Sequence, residues 1–132
     1  MKKVLILGAG LVVMPIVQYL LEKGYYVSVA TRTKSKADDM IGGHKNGNAI
    51  AWTVEDEPAL DKMIAEHDLT VSLLPWMHHI MVAQKCIAQK KNMVTTSYVK
   101  PAMQALDGEA KKLYLEAYSK AQTYKWPPVL LN

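Results

Sequence analysis

A single cysteine, Cys86, stands among 132 residues, so no internal disulfide can form and a cysteine-rich structural metal site is excluded. A reducing, cytoplasmic setting is the expectation. Long apolar runs are equally scarce. Half of the residues are hydrophobic, yet each uninterrupted run is strand-sized, which leaves no candidate membrane span. After Met1-Lys2-Lys3 the first apolar stretch meets glycines too early for a secretory signal, and no small-residue cleavage site follows, so export is not expected. Positive charge exceeds negative by four, but the lysines are scattered over helix surfaces instead of gathered in one stripe, which argues against a nucleic-acid partner. Repeats, low-complexity tracts and interdomain linkers are absent too. The length is that of one domain able to bury a real core, and residues 1–132 are read as a single unit.

Apolar runs alternate with segments of helical period, the pattern of a parallel sheet with right-handed crossovers. Strands are expected at 3–7, 26–31, 48–52, 69–73 and 92–95. Helices are expected at 12–23, 34–41, 57–66 and 78–90, with a long one at 101–121. Punctuation agrees: Gly24 closes the first helix, Gly42-Gly43 and Asn46-Gly47 break the chain before the third strand, and Pro58 and Pro101 sit in first turns, where a missing N–H costs nothing. Val129-Leu130-Leu131 could add a sixth strand. The fold class is therefore α/β: a Rossmann-like, doubly wound parallel sheet of five or six strands in a three-layer α/β/α sandwich.

The most informative stretch is the first. Val4-Leu5-Ile6-Leu7 breaks into Gly8-Ala9-Gly10-Leu11-Val12-Val13 and continues as an amphipathic helix, the opening of a dinucleotide-binding βα unit. Gly8 allows the tight turn off the strand and Gly10 lets the backbone approach a pyrophosphate. The helix N-terminus at Leu11 and Val12 offers unpaired N–H groups and a positive dipole end to the anion. Val13 occupies the third motif position in place of Gly or Ala, and a slightly wider helix–strand contact is expected there.

At the tip of the second strand an NAD-binding unit would carry an acid for the ribose hydroxyls. Here the chain reads Ala30-Thr31-Arg32-Thr33-Lys34-Ser35-Lys36, with no carboxylate. The Arg32 guanidinium can stack on adenine or fork onto a 2′-phosphate, with the Thr33 and Ser35 hydroxyls and the Lys34 or Lys36 ammonium as added donors, and Thr31 belongs to the same cofactor-binding tip. NADP(H) is expected over NAD(H). Asp38 and Asp39 fall too far into the following helix to reach the ribose.

Adjacent residues on a helix point about 100 degrees apart, so His78 and His79 are poorly placed to share one ion, and no metal is expected. A histidine at a helix start that packs or caps is the plainer reading of His79. Cys86 lies on an apolar helix face with Met81, Val82 and Ile87, and reads as a small buried hydrophobe.

Five segments together resemble the nucleotide-binding half of the glutamate-forming saccharopine dehydrogenase family. They are Gly8-Ala9-Gly10 with Pro15, Ala30-Thr31-Arg32-Thr33, Ala59-Leu60-Asp61, Val71-Ser72-Leu73-Leu74-Pro75-Trp76 leading to His79, and Met93-Val94-Thr95-Thr96-Ser97-Tyr98-Val99 with Pro101-Ala102. The likeness covers about residues 2–112. Trp76 stands where the family usually has Tyr, and Ile80 where it often has Pro. The resemblance implies NADP(H)-linked chemistry on the secondary amine of saccharopine, whose halves are α-aminoadipate semialdehyde and glutamate. It implies that Ser72 to Trp76, with Leu73 and Leu74 among them, flank the nicotinamide ribose, that Thr96, Ser97 and Tyr98 lie beside the nicotinamide ring, and that the Tyr98 hydroxyl faces substrate. From its residue type alone, Tyr98 could equally be a half-buried packing residue.

In that family the chain runs on into a Gly-Leu-Asp-Pro-Gly turn, which supplies a carboxylate at the substrate amine, and into a large substrate domain. Neither is in this sequence. The expectation is a nucleotide domain that binds cofactor without turning saccharopine over and carries no catalytic residue of its own. It would meet a separate substrate domain or a second copy of itself. Alternatives are a carboxynorspermidine-type dehydrogenase domain, an NAD-sensing regulatory module, which would want an acid at Arg32, and a Rossmann-like interaction domain without nucleotide.

Overall fold

Lys3–Leu7 forms strand β1 and is buried from Val4 onward on both faces, as only an inner strand of a sheet covered on two sides can be. The computed structural model describes residues 2–8, 10, 13–95 and 129–131. In chain order these give β1, α1 (Val13–Glu22), β2 (Tyr26–Thr31), α2 (Lys34–Ile41), β3 (Gly47–Ala51), α3 (Glu57–Glu66) and β4 (Leu69–Ser72). A 3-10 turn at Trp76–His78, α4 (His79–Ala88), β5 (Asn92–Thr95) and β6 (Val129–Leu131) follow. All neighbouring strands pair parallel, in the order β3-β2-β1-β4-β5-β6. The expected doubly wound sheet is borne out, and with six strands, since Met93 to Thr95 pair with Val129 to Leu131. The expected helix at 101–121 lies outside the described residues.

Alternation along β1 sorts the core into two layers. Val4 and Ile6 pack with Val13, Val17 and Leu21 of α1 and with Ala37, Met40 and Ile41 of α2. Leu5 and Leu7 face the other way, onto Leu60, Met63 and Ile64 of α3 and Val82, Ala83 and Cys86 of α4. Val13, at the third glycine-motif position, is fully buried in the first layer. Cys86 is fully buried in the second, and burial pushes its thiol up to about 12 against the opposing hydrogen bond with Thr70.

Local chemistry explains the element ends. The Asp56 carboxylate caps α3 by accepting the Ala59 N–H at 3.2 Å, with Pro58 in the first turn. Gly47 opens β3 one residue earlier than its sequence pattern suggests, paired with Val27, and the Ile41 side chain fills the space that a β-carbon there would occupy. Pro75 accepts the His78 N–H at 3.0 Å, which tightens residues 76–78 into the 3-10 turn and delays α4 to His79. On the surface Lys85 reaches Glu57 at 3.3 Å and Asp61 at 3.0 Å, tying α4 to α3. At the foot of the sheet the buried His67 donates its Nδ1–H to the Met63 carbonyl at 2.6 Å, and its Nε2 accepts from Ser28 Oγ–H at 2.8 Å. A carbonyl can only accept, so this pair of contacts fixes the His67 tautomer.

Candidate functional site

The strand order reverses between β1 and β4, and in an open α/β sheet the loops leaving the strands there diverge to leave a crevice. A crevice of about 560 Å³ opens at that end. Four strand exits wall it: Gly8 and Gly10 after β1, Thr31 and Arg32 at the end of β2, Trp52 to Val54 after β3, and Leu73 to Pro75 with His78 after β4.

Gly8 is the pivot. Its φ of +120° suits glycine alone, its N–H donates to the Ala30 carbonyl at 3.1 Å, and a β-carbon on it would stand 3.0 Å from the Leu73 carbonyl oxygen. Leu73 in turn donates its N–H to the Leu7 carbonyl at 2.9 Å. Three strand ends are thereby stitched together. Gly10 differs: a β-carbon there would meet nothing within 4 Å, so packing does not demand glycine at this position. The Gly10 carbonyl accepts the Val13 N–H at 3.0 Å and starts α1. Leu11 and Val12 lie outside the described residues.

On the β2 side Thr31 is buried at the strand end and Arg32 is exposed on the crevice wall. Thr33 is the N-cap of α2, with φ −109° and ψ 103° and no side-chain capping bond. Thr33 and Ser35 are exposed and stand beside the crevice, outside its immediate wall. Arg32 and His78 are the ionisable side chains of the described wall, and no carboxylate is among it. Among the described residues, ion pairs involve Lys85 alone, so Arg32 has no carboxylate within bonding distance. Opposite charge comes from Glu55, an exposed acid in the β3–α3 connection. Its own backbone N–H and the Thr53 hydroxyl hold its carboxyl below the usual range, with smaller contributions from Arg32 and His78.

Ser72 lies just before the described crevice wall and is not among its lining residues. It is fully buried, and its hydroxyl lies 2.9 Å from His79 Nδ1, while His79 Nε2 lies 3.0 Å from Thr95 Oγ1. The trio joins the ends of β4 and β5 to the first residue of α4 beneath the crevice. Packing, one of the two plain roles expected of His79, is what it does, and the N-cap is His78, without a side-chain capping bond. Burial, with a lesser push from His78, lowers the His79 pKa. Thr96, Ser97 and Tyr98 lie outside the described residues.

The wall also contains residues that sequence reasoning passed over. Trp52 is nearly buried, donates its backbone N–H to the Thr31 carbonyl at 2.9 Å and its indole N–H to the Asp56 carbonyl at 2.9 Å. Thr53 and Val54 complete the β3 side. Their one legible signal was position: they follow a parallel strand, at the end where ligands bind. Among the described residues no three His, Cys, Asp or Glu side chains gather as for a metal, and no helix is long and apolar enough to cross a membrane.

Comparison with known proteins supplies the relatives. Residues 4–116 match the family model of the saccharopine dehydrogenase NADP binding domain. The chain is 45% identical over 113 residues to saccharopine dehydrogenase [NADP(+), L-glutamate-forming] of Schizosaccharomyces pombe, covering 85% of this chain and 25% of that one. It is 44% identical over 110 residues to the Pyricularia oryzae protein of the same name, covering 83% and 24%. Among solved structures, an apo, histidine-tagged saccharopine dehydrogenase (L-Glu forming) from Saccharomyces cerevisiae superposes with a TM-score of 0.77 at 36% identity, covering 83% of this chain and 24% of that one. The chain thus spans about a quarter of the length of these relatives.

Proposed function

This chain belongs to the saccharopine dehydrogenase family as its NADP-binding domain, and we propose how its crevice grips the coenzyme and what reaction it serves. The pyrophosphate lies over Gly8 and Gly10 against the N-terminus of α1, where Leu11 and Val12 contribute backbone N–H groups. Arg32 meets the adenosine 2′-phosphate, with Thr31, Thr33 and Ser35 in support. Leu73 and Leu74 flank the nicotinamide ribose, and Ser72 supports that wall from below through His79. Thr96 and Ser97 adjoin the ring, and Tyr98 faces substrate.

One observation carries this reading. The crevice sits at the strand-order switch, floored by a bare Gly10, and its described wall has cation-capable side chains and no carboxylate. Such a wall favours a ligand with several negative charges. It disfavours the plain dinucleotide, whose ribose hydroxyls are ordinarily met by an acid at the position of Arg32.

When bound, NADP(H) accepts or donates a hydride. We infer that the reaction is oxidation of saccharopine at its secondary amine, or reduction of the matching imine, within a larger assembly. The residues of this chain bind and orient the coenzyme, and the remaining substrate contacts come from a substrate domain or a second copy. Alone, the chain binds coenzyme without turning saccharopine over. A reducing, cytoplasmic setting is inferred from the lone, buried thiol of Cys86.

Titrating NADPH and NADH against the chain and its Arg32→Ala variant tests the assignment. Loss of one charge-assisted contact weakens NADPH by roughly 1.5 to 3 kcal/mol and NADH much less. Equal weakening of both removes Arg32 from the 2′-phosphate.

A further inference from the structure

His78 and His79 are neighbours with opposite circumstances. His79 is buried with both ring nitrogens within hydrogen-bond distance of hydroxyls. His78 is half-buried, lines the crevice, and makes no side-chain bond to the helix that it precedes. Topology sets where it stands. β1 lies between β2 and β4 in the sheet, so the glycine turn leaving β1 has Arg32, leaving β2, on one side and His78, after β4, on the other.

We propose that His78 is a second anion contact of the dinucleotide crevice, flanking the glycine turn opposite Arg32 and holding a coenzyme phosphate most firmly when its imidazole is protonated. The proposal rests on the reading of the crevice as an NADP(H) site. Arg32 is a fixed cation, whereas histidine changes charge across neutral pH, so the two differ in kind. The imidazole donates a hydrogen bond in either state and gains a full charge on protonation.

Among the described residues, Arg32 looks across at His78 from the β2 end and Glu55 from the β3–α3 connection, and the buried His79, its pKa lowered chiefly by burial, follows it in the chain. Glu55 is fully exposed and within electrostatic reach of both cations. Being exposed, it buries no competing charge in the crevice.

The experiment measures dissociation constants of NADPH and NADH for the full chain, His78→Gln and His78→Lys from pH 8.5 to 5.5 at constant ionic strength, with thermal melts confirming that all three are folded. Relative to His78→Gln, the parent gains about 3- to 10-fold in affinity as pH falls, the size expected of one partly exposed charge contact. His78→Lys stays at the tight end throughout. Protonation of the 2′-phosphate itself, with a pKa of about 6, also weakens NADPH binding; NADH, which lacks that group, reads the His78 effect without it. A gain with both coenzymes places His78 on the pyrophosphate and supports the proposal; a gain with NADPH alone puts it with Arg32 on the 2′-phosphate and overturns the arrangement on opposite sides of the glycine turn. Superimposed pH profiles of parent and His78→Gln, with binding intact, overturn it and leave the crevice assignment standing. Absence of binding by the parent to either coenzyme at every pH overturns both.

Discussion

Gly8 faces the backbone of Leu73 so closely that a β-carbon on Gly8 would lie 3.0 Å from its carbonyl oxygen and 3.1 Å from its carbonyl carbon. The neighbour is main chain held in place by the Leu73 N–H bond to Leu7, so it cannot swing aside as a side chain would. Gly8→Ala therefore meets a steric clash and a positive φ at once. It should lower unfolding free energy by about 1 to 3 kcal/mol and weaken NADPH further, because relief of the clash moves the crevice wall. Urea unfolding read beside coenzyme titration checks both; an alanine variant of parental stability sinks the geometric argument.

Gly47→Ala separates stability from binding. The new methyl collides with Ile41 at the start of β3, the end of the strand away from the crevice. A loss of about 1 to 3 kcal/mol in unfolding free energy is expected from overpacking, with NADPH affinity of the folded fraction unchanged.

Ser72→Ala removes the hydroxyl that lies 2.9 Å from the buried His79 Nδ1. An unfolding free energy lower by about 1 kcal/mol is expected. His79 also predicts a pH dependence. Its folded pKa lies below the ordinary 6.5, chiefly through burial, so between those values the unfolded chain holds a proton that the folded chain does not. Stability contributed by this group is full above pH 6.5 and falls as pH drops towards the folded value. Urea midpoints from pH 7.5 to 5 should decline more steeply for the parent than for His79→Gln.

Glu55→Gln removes the acid at the crevice lip that interacts with Arg32 and His78. NADPH should bind roughly two- to fivefold more tightly at low ionic strength, and the gain should vanish in concentrated salt, because exposed charges are screened. A gain that persists at high salt contradicts a purely electrostatic role.

Cys86 is the remaining test of the core. Burial raises its thiol to about 12, so in the native chain at pH 8 a thiolate-directed maleimide should label it only as fast as the protein opens, and immediately in denaturant. Prompt native labelling would place Cys86 at the surface.

Much of this architecture is legible residue by residue. β1, β2, β5, α2 and α3 fall where hydrophobic period and punctuation put them, since these elements are bounded by strong local signals such as the Asp56 cap and Pro58. Gly8 and Gly10 were readable as a site because backbone chemistry at a turn leaves a mark in residue type. Arg32 was readable by the acid missing at its position. Ser72 was not: a serine at a strand end carries no mark of which way its hydroxyl turns. That direction was set by His79, seven residues on, and by Thr95 on the adjacent strand. The β3 side of the crevice was equally silent, because Trp52, Thr53 and Val54 read as an ordinary strand exit.

Local order therefore determined the class of this protein: parallel strands, a glycine turn and a cationic strand tip, each specified by neighbours within a few residues. Tertiary structure alone decided which adjacent histidine became a buried strut and which faced the crevice, and which serine was a core residue. Those outcomes depend on contacts between strand ends far apart in sequence. Only the parallel pairing of β2, β1 and β4 brings Arg32, Gly8 and His78 around one space.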